Sequence, residues 1–341
     1  MTTGHSINPI GSILNLVSCK IPFLLKMLPV SLRPIGDFLD IERARDKYEI
    51  SSYISKLSNH SIAHGSRGDV FAAHLWDNNR RAYQNVVVKV FRGTYTETLK
   101  VQKRLLREIA VWAYLNHPNI ATFYGITFKF GPMPGIVSPL IKNDLMDYTE
   151  NRLNDRLRLI HEIASGLKYL HAKYVIHGDL KPANVRVSAC GVAQILDFGM
   201  GRIDNTRGFT TSFDPNPRYM APETFPCEDD SSIRLTFRSD VFSFAMLMLQ
   251  VLHGRDLRLD QQGTKLWDYS QPFNHIALDW SLWDRVRKGE RPFQNRYRGI
   301  TQNQWRLMEG CWHRMPHERP SAQEIELCIG LELQGYHGQN R

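Results

Sequence analysis

Four polar side chains in the middle of the chain have the types and spacing to move a phosphoryl group. The run Val175-Ile176-His177-Gly178-Asp179-Leu180-Lys181-Pro182-Ala183-Asn184 is followed, thirteen residues after Asn184, by Asp197-Phe198-Gly199. Phosphoryl transfer to a hydroxyl needs a carboxylate at the attacking oxygen, a cation near the transferred phosphate and oxygen ligands for Mg²⁺. Asp179, Lys181, Asn184 and Asp197 supply these in the right order. Upstream, Lys89 ends the run Val86-Val87-Val88, and Glu108 falls inside the next helical stretch. A lysine kept on phosphate needs a carboxylate to orient it, and this pair supplies one. Ala63-His64-Gly65-Ser66-Arg67-Gly68-Asp69-Val70 fits a phosphate-covering loop with alanine in the first glycine place. Gly65 and Gly68 let backbone approach phosphate with no Cβ in the way. Two glycines three apart are often only a turn, and a lysine after a strand is often a solvated end. The order and spacing of the whole set carry the reading.

These residues need elements to hold them. Val70-Phe71-Ala72-Ala73 and Val86–Phe91 are short β-branched or aromatic runs around the polar Asp77–Arg81, which predicts a hairpin. Over Glu97–Asn116, Leu105, Ile109, Trp112 and Leu115 recur at helical spacing, and the helix should end before Pro118. Ile120–Phe128 and Gly135–Leu140 read as two further strands, with Gly131-Pro132 turning between them. After residue 150 the pattern becomes helical. Leu157, Ile160, Ala164, Leu167 and Leu170 form one buried face, and Val241–Val251 is apolar enough for a helix buried on all sides. The expectation is an α+β chain of two lobes, a small sheet with one helix and then a mainly helical part, with a ligand cleft between them.

Composition narrows the partners. The 341 residues are 42% hydrophobic and 23% charged with a formal charge of +9, which fits an ordinary globular chain with a sizeable core. Positive charge favours anionic partners such as nucleotide phosphates. No recognition motif accompanies it, so no nucleic-acid partner is expected. Cys19, Cys190, Cys227, Cys311 and Cys328 are scattered and contain no C-x-x-C pair. That argues against a disulfide scaffold or zinc site and for a reducing, cytoplasmic setting. No secretory leader is expected at the N-terminus. The apolar run Ile13–Leu32 is broken by Lys20, Pro22, Lys26 and Pro29, so neither a membrane span nor a membrane contact is expected. No repeat at solenoid spacing is found. The basic stretch Arg285–Arg298, with Glu290 as its acid, reads as a solvated face rather than a docking patch. Leu257–Trp283 looks like an insert whose Trp267, Trp280 and Trp283 are buried or form a partner surface.

Taken together, these stretches resemble the protein kinase superfamily from about Ser61 to about Leu331. Met220-Ala221-Pro222-Glu223 looks like the end of its activation segment, and Ser239-Asp240-Val241-Phe242-Ser243-Phe244 like the start of its buried central helix. Gly289-Glu290-Arg291-Pro292, Cys311-Trp312 and Arg319-Pro320 are similar to the tyrosine-kinase-like group of serine/threonine kinases. The His-Gly-Asp-Leu-Lys form is similar to members common in fungi. The resemblance implies a bilobal fold: a flank over 1–57, partly ordered or disordered, a kinase domain over 58–331 and a tail over 332–341. Within the domain it implies an N-lobe over 58–138, a hinge over 139–143 and a C-lobe over 144–331. It implies Asp179 as catalytic base beside Lys181 and Asn184, with Asn184 and Asp197 on Mg²⁺. It implies ATP against Ala63, Gly65, Gly68, Val70, Val87, Lys89, Glu108, Ser138, Leu140, Ile141 and Arg186. Ser138 would gate the back of the pocket, and Pro139–Ile141 would present backbone to adenine. Glu223 should pair with Arg319. Trp112, Phe123, Phe198 and His177 should stack into a column anchored by Asp240. The implied reaction moves the γ-phosphate of ATP to a serine or threonine hydroxyl of a protein, carried out by a monomer.

Five places depart from that pattern. Gly178 replaces an arginine that receives an activation-loop phosphate, and Pro215-Asn216 stand where Gly-Thr is expected. Val87 is larger than the usual alanine, and the hinge is about one residue short near Asn143-Asp144, leaving the ribose contact unassigned. Arg186 takes the place of an apolar residue under adenine. Strand alternation from Asn184 sends it toward the same cleft, with Val185 and Val187 turned to the core. Two other functions fit the same fold: a pseudokinase acting as a scaffold, with or without nucleotide, and a small-molecule kinase. The Met-Ala-Pro-Glu segment and Lys181 favour a protein hydroxyl, and serine or threonine over tyrosine.

Overall fold

The β-branched runs do build a sheet. The computed structural model describes residues 41–64, 68–92, 98–131, 133–198, 202–203, 216–225, 235–259, 265–269, 271–276 and 279–339. All lie within one unit, Leu39–Arg341, so the apolar run 13–32 is outside the described residues. Ile41–Tyr48 form helix α1, Ile54–Lys56 strand β1 and Ala63–His64 strand β2. Gly68–Asp77 (β3) and Ala82–Phe91 (β4) make the expected hairpin, in register from Gly68↔Phe91 to Asp77↔Ala82. Its turn is tied by the Asp77 carboxylate, which accepts the N–H groups of Asn79 and Arg80 at 2.9 and 3.2 Å.

Helix α2 (Thr98–Trp112) follows, then β5 (Gly125–Thr127) and β6 (Gly135–Pro139). The sheet order is β1-β3-β4-β6-β5, with β2 added on β3. One face buries Ile54, Ala73, Leu75, Val86, Val88 and Val137. The period of two then turns Val87 and Lys89 to the opposite face. On α2, Leu105, Glu108, Ile109 and Trp112 are all buried, so a carboxylate sits on the apolar stripe of an otherwise amphipathic helix. Helix α1 and strand β1 fall within the stretch 1–57 read as a flank, which therefore contributes secondary structure to this lobe.

Beyond the sheet come β7 (Asn143–Asp144), α3 (Leu145–Thr149), α4 (Leu153–Ala172), β8 (Val175–Ile176), β9 (Val185–Val187), β10 (Ala193–Ile195) and β11 (Arg202–Ile203). Next are α5 (Phe237–His253), β12 (Arg255–Leu259), β13 (Lys265–Tyr269), α6 (Asp279–Arg287), α7 (Gln302–Cys311) and α8 (Ala322–Gln339). The last helix runs on through most of the span 332–341 read as a tail. Helix α5 starts at a reciprocal cap, Ser239 N–H to Thr236 Oγ1 at 3.0 Å and Thr236 N–H to Ser239 Oγ at 2.9 Å. It stops at Gly254, whose φ of 81° suits glycine. Every residue from Ser239 to Leu252 is buried, as its apolar run predicts. Among the described residues no helix is long and apolar enough to cross a membrane.

The insert forms the β12–β13 hairpin, in register from Arg255↔Tyr269 to Leu259↔Lys265. The side chains of Trp267 and Trp280 lie outside the described residues. Trp283 stacks on Phe225 at 5.5 Å, half-buried. The basic stretch is not uniformly solvated. Arg291 turns inward, its Nε donating to the Trp312 carbonyl at 2.8 Å and its guanidinium lying 5.3 Å from the Phe242 ring centre. Lys288 pairs with Asp284 and Arg285 with Glu290, while Arg296 and Arg298 are exposed as expected.

Candidate active site

Strand β4 and helix α2 bring the first charged group together. Lys89 Nζ donates to Glu108 Oε1 at 2.9 Å and to Asp197 Oδ1 at 2.8 Å. The Glu108 side chain is fully buried, and those of Lys89 and Asp197 are 18% and 27% exposed, so the cluster opens to one side. Burial alone would lower the Lys89 pKa. The Asp197 and Glu108 carboxylates reverse that and hold the ammonium above its ordinary value. Asp197 sits at φ 67°, a left-handed conformation that aspartate tolerates better than most residues and that costs roughly 1–3 kcal/mol. Its neighbours fix it: the Leu196 N–H donates to the Asn184 carbonyl at 3.0 Å, and Phe198 is fully buried.

The loop after β8 is held from below by Asp240 of α5, itself 1% exposed. Asp240 accepts the N–H groups of His177 at 2.9 Å and Gly178 at 2.8 Å, and contacts His171 Nε2 at 3.0 Å. With its proton on Nε2, His177 donates to the Leu196 carbonyl at 3.2 Å and accepts the Asp179 N–H at Nδ1, also 3.2 Å. Asp179 emerges with both oxygens engaged by Lys181 Nζ, at 3.0 and 2.8 Å. Asn184 Nδ2 donates to the Asp179 carbonyl at 2.7 Å and to Oδ2 at 3.1 Å. The amide is thereby oriented with Oδ1 directed away from Asp179.

That orientation decides whether Mg²⁺ fits. Among the described residues, no group of three or more His, Cys, Asp or Glu is arranged to hold a metal alone. Mg²⁺ needs no such group. It takes hard oxygens in an octahedron and binds through one or two protein ligands with substrate phosphates and water. The Asn184 Oδ1 and the Asp197 carboxylate are oxygens of that kind.

Four rings link the two lobes. Trp112 lies 6.3 Å from Phe123 and 5.5 Å from Phe198, and Phe198 lies 5.5 Å from His177. Trp112 Nε1 donates to the Ala121 carbonyl at 2.6 Å. The column expected from Trp112, Phe123, Phe198 and His177, standing on Asp240, is therefore present.

The residues expected to wall the nucleotide lie at the following places. Ala63 is exposed on β2 opposite Val70, and Gly65 lies outside the described residues. Gly68 has a packing reason of its own, because a Cβ there would collide with the Val90 carbonyl. Val70 and Val87 are half-buried, and Ser138 faces Val87 across β4 and β6, 8% exposed. Leu140 follows with its N–H on the Asn85 carbonyl at 3.2 Å, and half-buried Ile141 leads to β7. Arg186 lies between buried Val185 and Val187, as alternation predicts. Its Nη1 meets Asp144 Oδ2 at 3.2 Å, while Asp144 Oδ1 caps α3 by accepting the Met146 N–H at 2.9 Å. Sequence reasoning missed Asp144 as this partner. The only signal is a two-residue strand pairing Asp144 with Arg186, too short to show a period.

The segment after the loop is anchored by charge. Arg319, fully buried, places two nitrogens on the two Glu223 oxygens at 2.6 and 2.8 Å. It also donates to the carbonyls of His313 and Arg238. Asn216 accepts the Arg218 N–H at 3.1 Å and so caps the turn it begins, while Pro215 lies outside the described residues.

A small antiparallel sheet bearing one helix, a helical lobe, and a lysine, a glutamate and two aspartates gathered at their junction define a protein kinase domain. The chain belongs to the protein tyrosine and serine/threonine kinase family, whose model matches residues 57–329. It is 25% identical over 291 residues to serine/threonine-protein kinase STY17 of Arabidopsis thaliana, covering 82% of this chain and 45% of that one. It is 28% identical over 300 residues to serine/threonine-protein kinase 12 of the same plant, covering 84% and 59%. Against the Nik-related protein kinase of Mus musculus it is 33% identical over 172 residues, covering 46% and 11%. The chain thus spans less than two thirds of the length of each of these relatives.

Proposed function

We propose that this chain is an active serine/threonine protein kinase with Asp179 as its base. The observation that carries the reading is the simultaneous engagement of Lys89 with Glu108 and Asp197, beside an Asp179 held by Lys181 and Asn184. Every charged group that the transfer needs is in contact with its partner. Asp179 accepts the proton of the substrate hydroxyl as its oxygen attacks the γ-phosphorus of ATP, and the bond to the β-phosphate oxygen breaks to release ADP. Lys181 offsets the charge beside Asp179, and Lys89 holds the nucleotide phosphates. Asp197 and Asn184 would hold Mg²⁺, which when bound neutralises phosphate charge. Lys181 two residues after the base, and relatives named as serine/threonine kinases, support serine or threonine as acceptor. The tyrosine-kinase-like motifs Gly289-Glu290-Arg291-Pro292 and Cys311-Trp312 support that placement.

The test is transfer of radiolabelled phosphate from ATP to a generic protein substrate, followed by phosphoamino-acid analysis, with wild type beside Asp179→Asn. Phosphoserine or phosphothreonine from wild type alone is expected. A second reading, a pseudokinase scaffold, draws on Arg186 and Asp144, whose ion pair stands where an apolar floor is usual. It prevails if wild type transfers no phosphate, and ATP binding then separates a nucleotide-dependent scaffold from a nucleotide-independent one.

A further inference from the structure

The family match begins at residue 57, yet helix α1, which precedes it, reaches the ring column. Tyr48 meets Phe123 edge-on, with centroids 5.5 Å apart and planes at 88°. Both rings are half-buried, so each covers an edge that water would otherwise reach. The contact is fixed from the backbone. The Ile50 N–H donates to the Ile126 carbonyl at 2.9 Å. Ser51 Oγ accepts the Phe128 N–H at 3.1 Å and the Thr127 hydroxyl at 3.2 Å. The Arg45 guanidinium lies 4.2 Å over the Phe128 ring, and Ala44 is fully buried. Gly125, at φ 149°, admits this approach, since a Cβ there would stand 2.6 Å from the Tyr48 carbonyl.

From Phe123 the path runs inward without a gap. Trp112 packs on Phe123 and bonds the Ala121 carbonyl, two residues earlier in the same segment. Glu108 lies one turn before Trp112 on α2, where it meets Lys89. Close-packed interiors pass small displacements along such a chain of contacts. We propose that Tyr48 is a positioning residue: it closes the outer end of the column and keeps Trp112, and through α2 Glu108, where Glu108 engages Lys89. The kinetic half of this inference rests on the transfer activity proposed above, and the spectroscopic half does not.

The experiment compares Tyr48→Ala, Tyr48→Leu and Tyr48→Phe in the full chain carrying 5-fluorotryptophan. The Trp112 fluorine resonance is assigned by Trp112→Phe. Among the described residues the Tyr48 hydroxyl makes no hydrogen bond, so phenylalanine keeps the edge-on contact and should match wild type in resonance and rate. Alanine should shift or broaden the Trp112 resonance and lower kcat about three- to tenfold, with KM for the protein substrate unchanged. Leucine keeps apolar volume and should fall between them, which preserves the comparison if the alanine variant does not fold. An unmoved Trp112 resonance with wild-type kcat per folded molecule in Tyr48→Ala and Tyr48→Leu would overturn the proposal, as would a loss in Tyr48→Phe equal to that in alanine. If wild type transfers no phosphate, the kinase reading fails by itself, and the Trp112 resonance alone decides for or against the brace.

Discussion

Asn184 donates its side-chain amide to both the carbonyl and the carboxylate of Asp179, at 2.7 and 3.1 Å. One residue thereby orients the proposed base and leaves its own oxygen, which would be a Mg²⁺ ligand, directed away from Asp179. Asp179→Asn removes the carboxylate that accepts the hydroxyl proton but not the parts that hold nucleotide. Its kcat should fall by a factor on the order of a hundred or more, with ATP affinity close to wild type. Asp197→Asn should instead abolish Mg²⁺-dependent nucleotide binding. Steady-state rates and calorimetric titration with ATP and Mg²⁺ separate the two, and wild-type activity in either variant rejects its assigned role.

Glu108→Gln keeps the shape of the buried side chain and removes its charge. Lys89 retains Asp197, so nucleotide binding should survive with kcat lowered roughly ten- to a hundredfold. The pH profile gives the sign. Burial lowers the Lys89 pKa, and Asp197 and then Glu108 raise it. Losing one carboxylate lets the ammonium deprotonate earlier, so the alkaline limb of the rate profile should move to lower pH. An unmoved limb would show that Lys89 is not the group titrating there.

Gly178 sits at φ 78°, where any side chain adds strain. Gly178→Ala should cost about 1 kcal/mol, read as a fall in Tm of about 1–2 °C. Gly178 also removes the usual arginine beside the base that would receive a phosphate. Phosphatase treatment should therefore leave most activity in place. Collapse after dephosphorylation, restored by acidic residues at Thr210 or Thr211, would reveal another cationic partner.

Arg186 is 36% exposed at its side chain and shares its charge with Asp144. Desolvating this pair under adenine opposes the gain from stacking the flat guanidinium on the ring, about 0.5–1 kcal/mol. Arg186→Leu should then tighten ATP by up to about tenfold. Asp144 keeps the α3 cap in the variant, so helix loss should not obscure the result. Equal or weaker binding by calorimetry would make Arg186 a contributor to the pocket.

Arg319→Met leaves Glu223 without its partner, and the fully buried guanidinium takes four hydrogen bonds with it. Breaking a buried pair from one side costs about 3–5 kcal/mol. Arg319→Lys should recover little, because an ammonium cannot meet both carboxylate oxygens in parallel. Urea denaturation measures both, and a loss under about 1 kcal/mol for methionine would show the pair to be dispensable.

The loop from His177 to Asn184 was legible because its contacts are local. Asp179, Lys181 and Asn184 lie within six residues, and their spacing alone brings them into contact. The β3–β4 hairpin and α5 were legible from period and apolar run. The pairing of Asp144 with Arg186 was not, because a two-residue strand carries no period. Strand β1 is hidden for the same reason, since Ile54-Ser55-Lys56 gains its place from the open edge of β3 rather than from its own pattern. Arg291 looked solvated by composition, but carbonyls and the Phe242 ring satisfy its guanidinium inside. The inward position of Glu108 is legible only through Lys89, since propensity alone would place a glutamate outward.

The Glu223–Arg319 pair also fixes an order of events during synthesis. Its members are 96 residues apart, so the ribosome delivers the acid about 5–20 s before the base. Through that interval the carboxylate has no counter-ion, and the segment from Met220 to Phe225 cannot be sealed against α5. The nascent sheet can assemble in that interval, but the lower half of the column, His177 and Phe198 above Asp240 of α5, belongs to the lobe that waits for this late arginine. Until then the apolar surface of that lobe stays exposed, the condition under which partly folded chains aggregate.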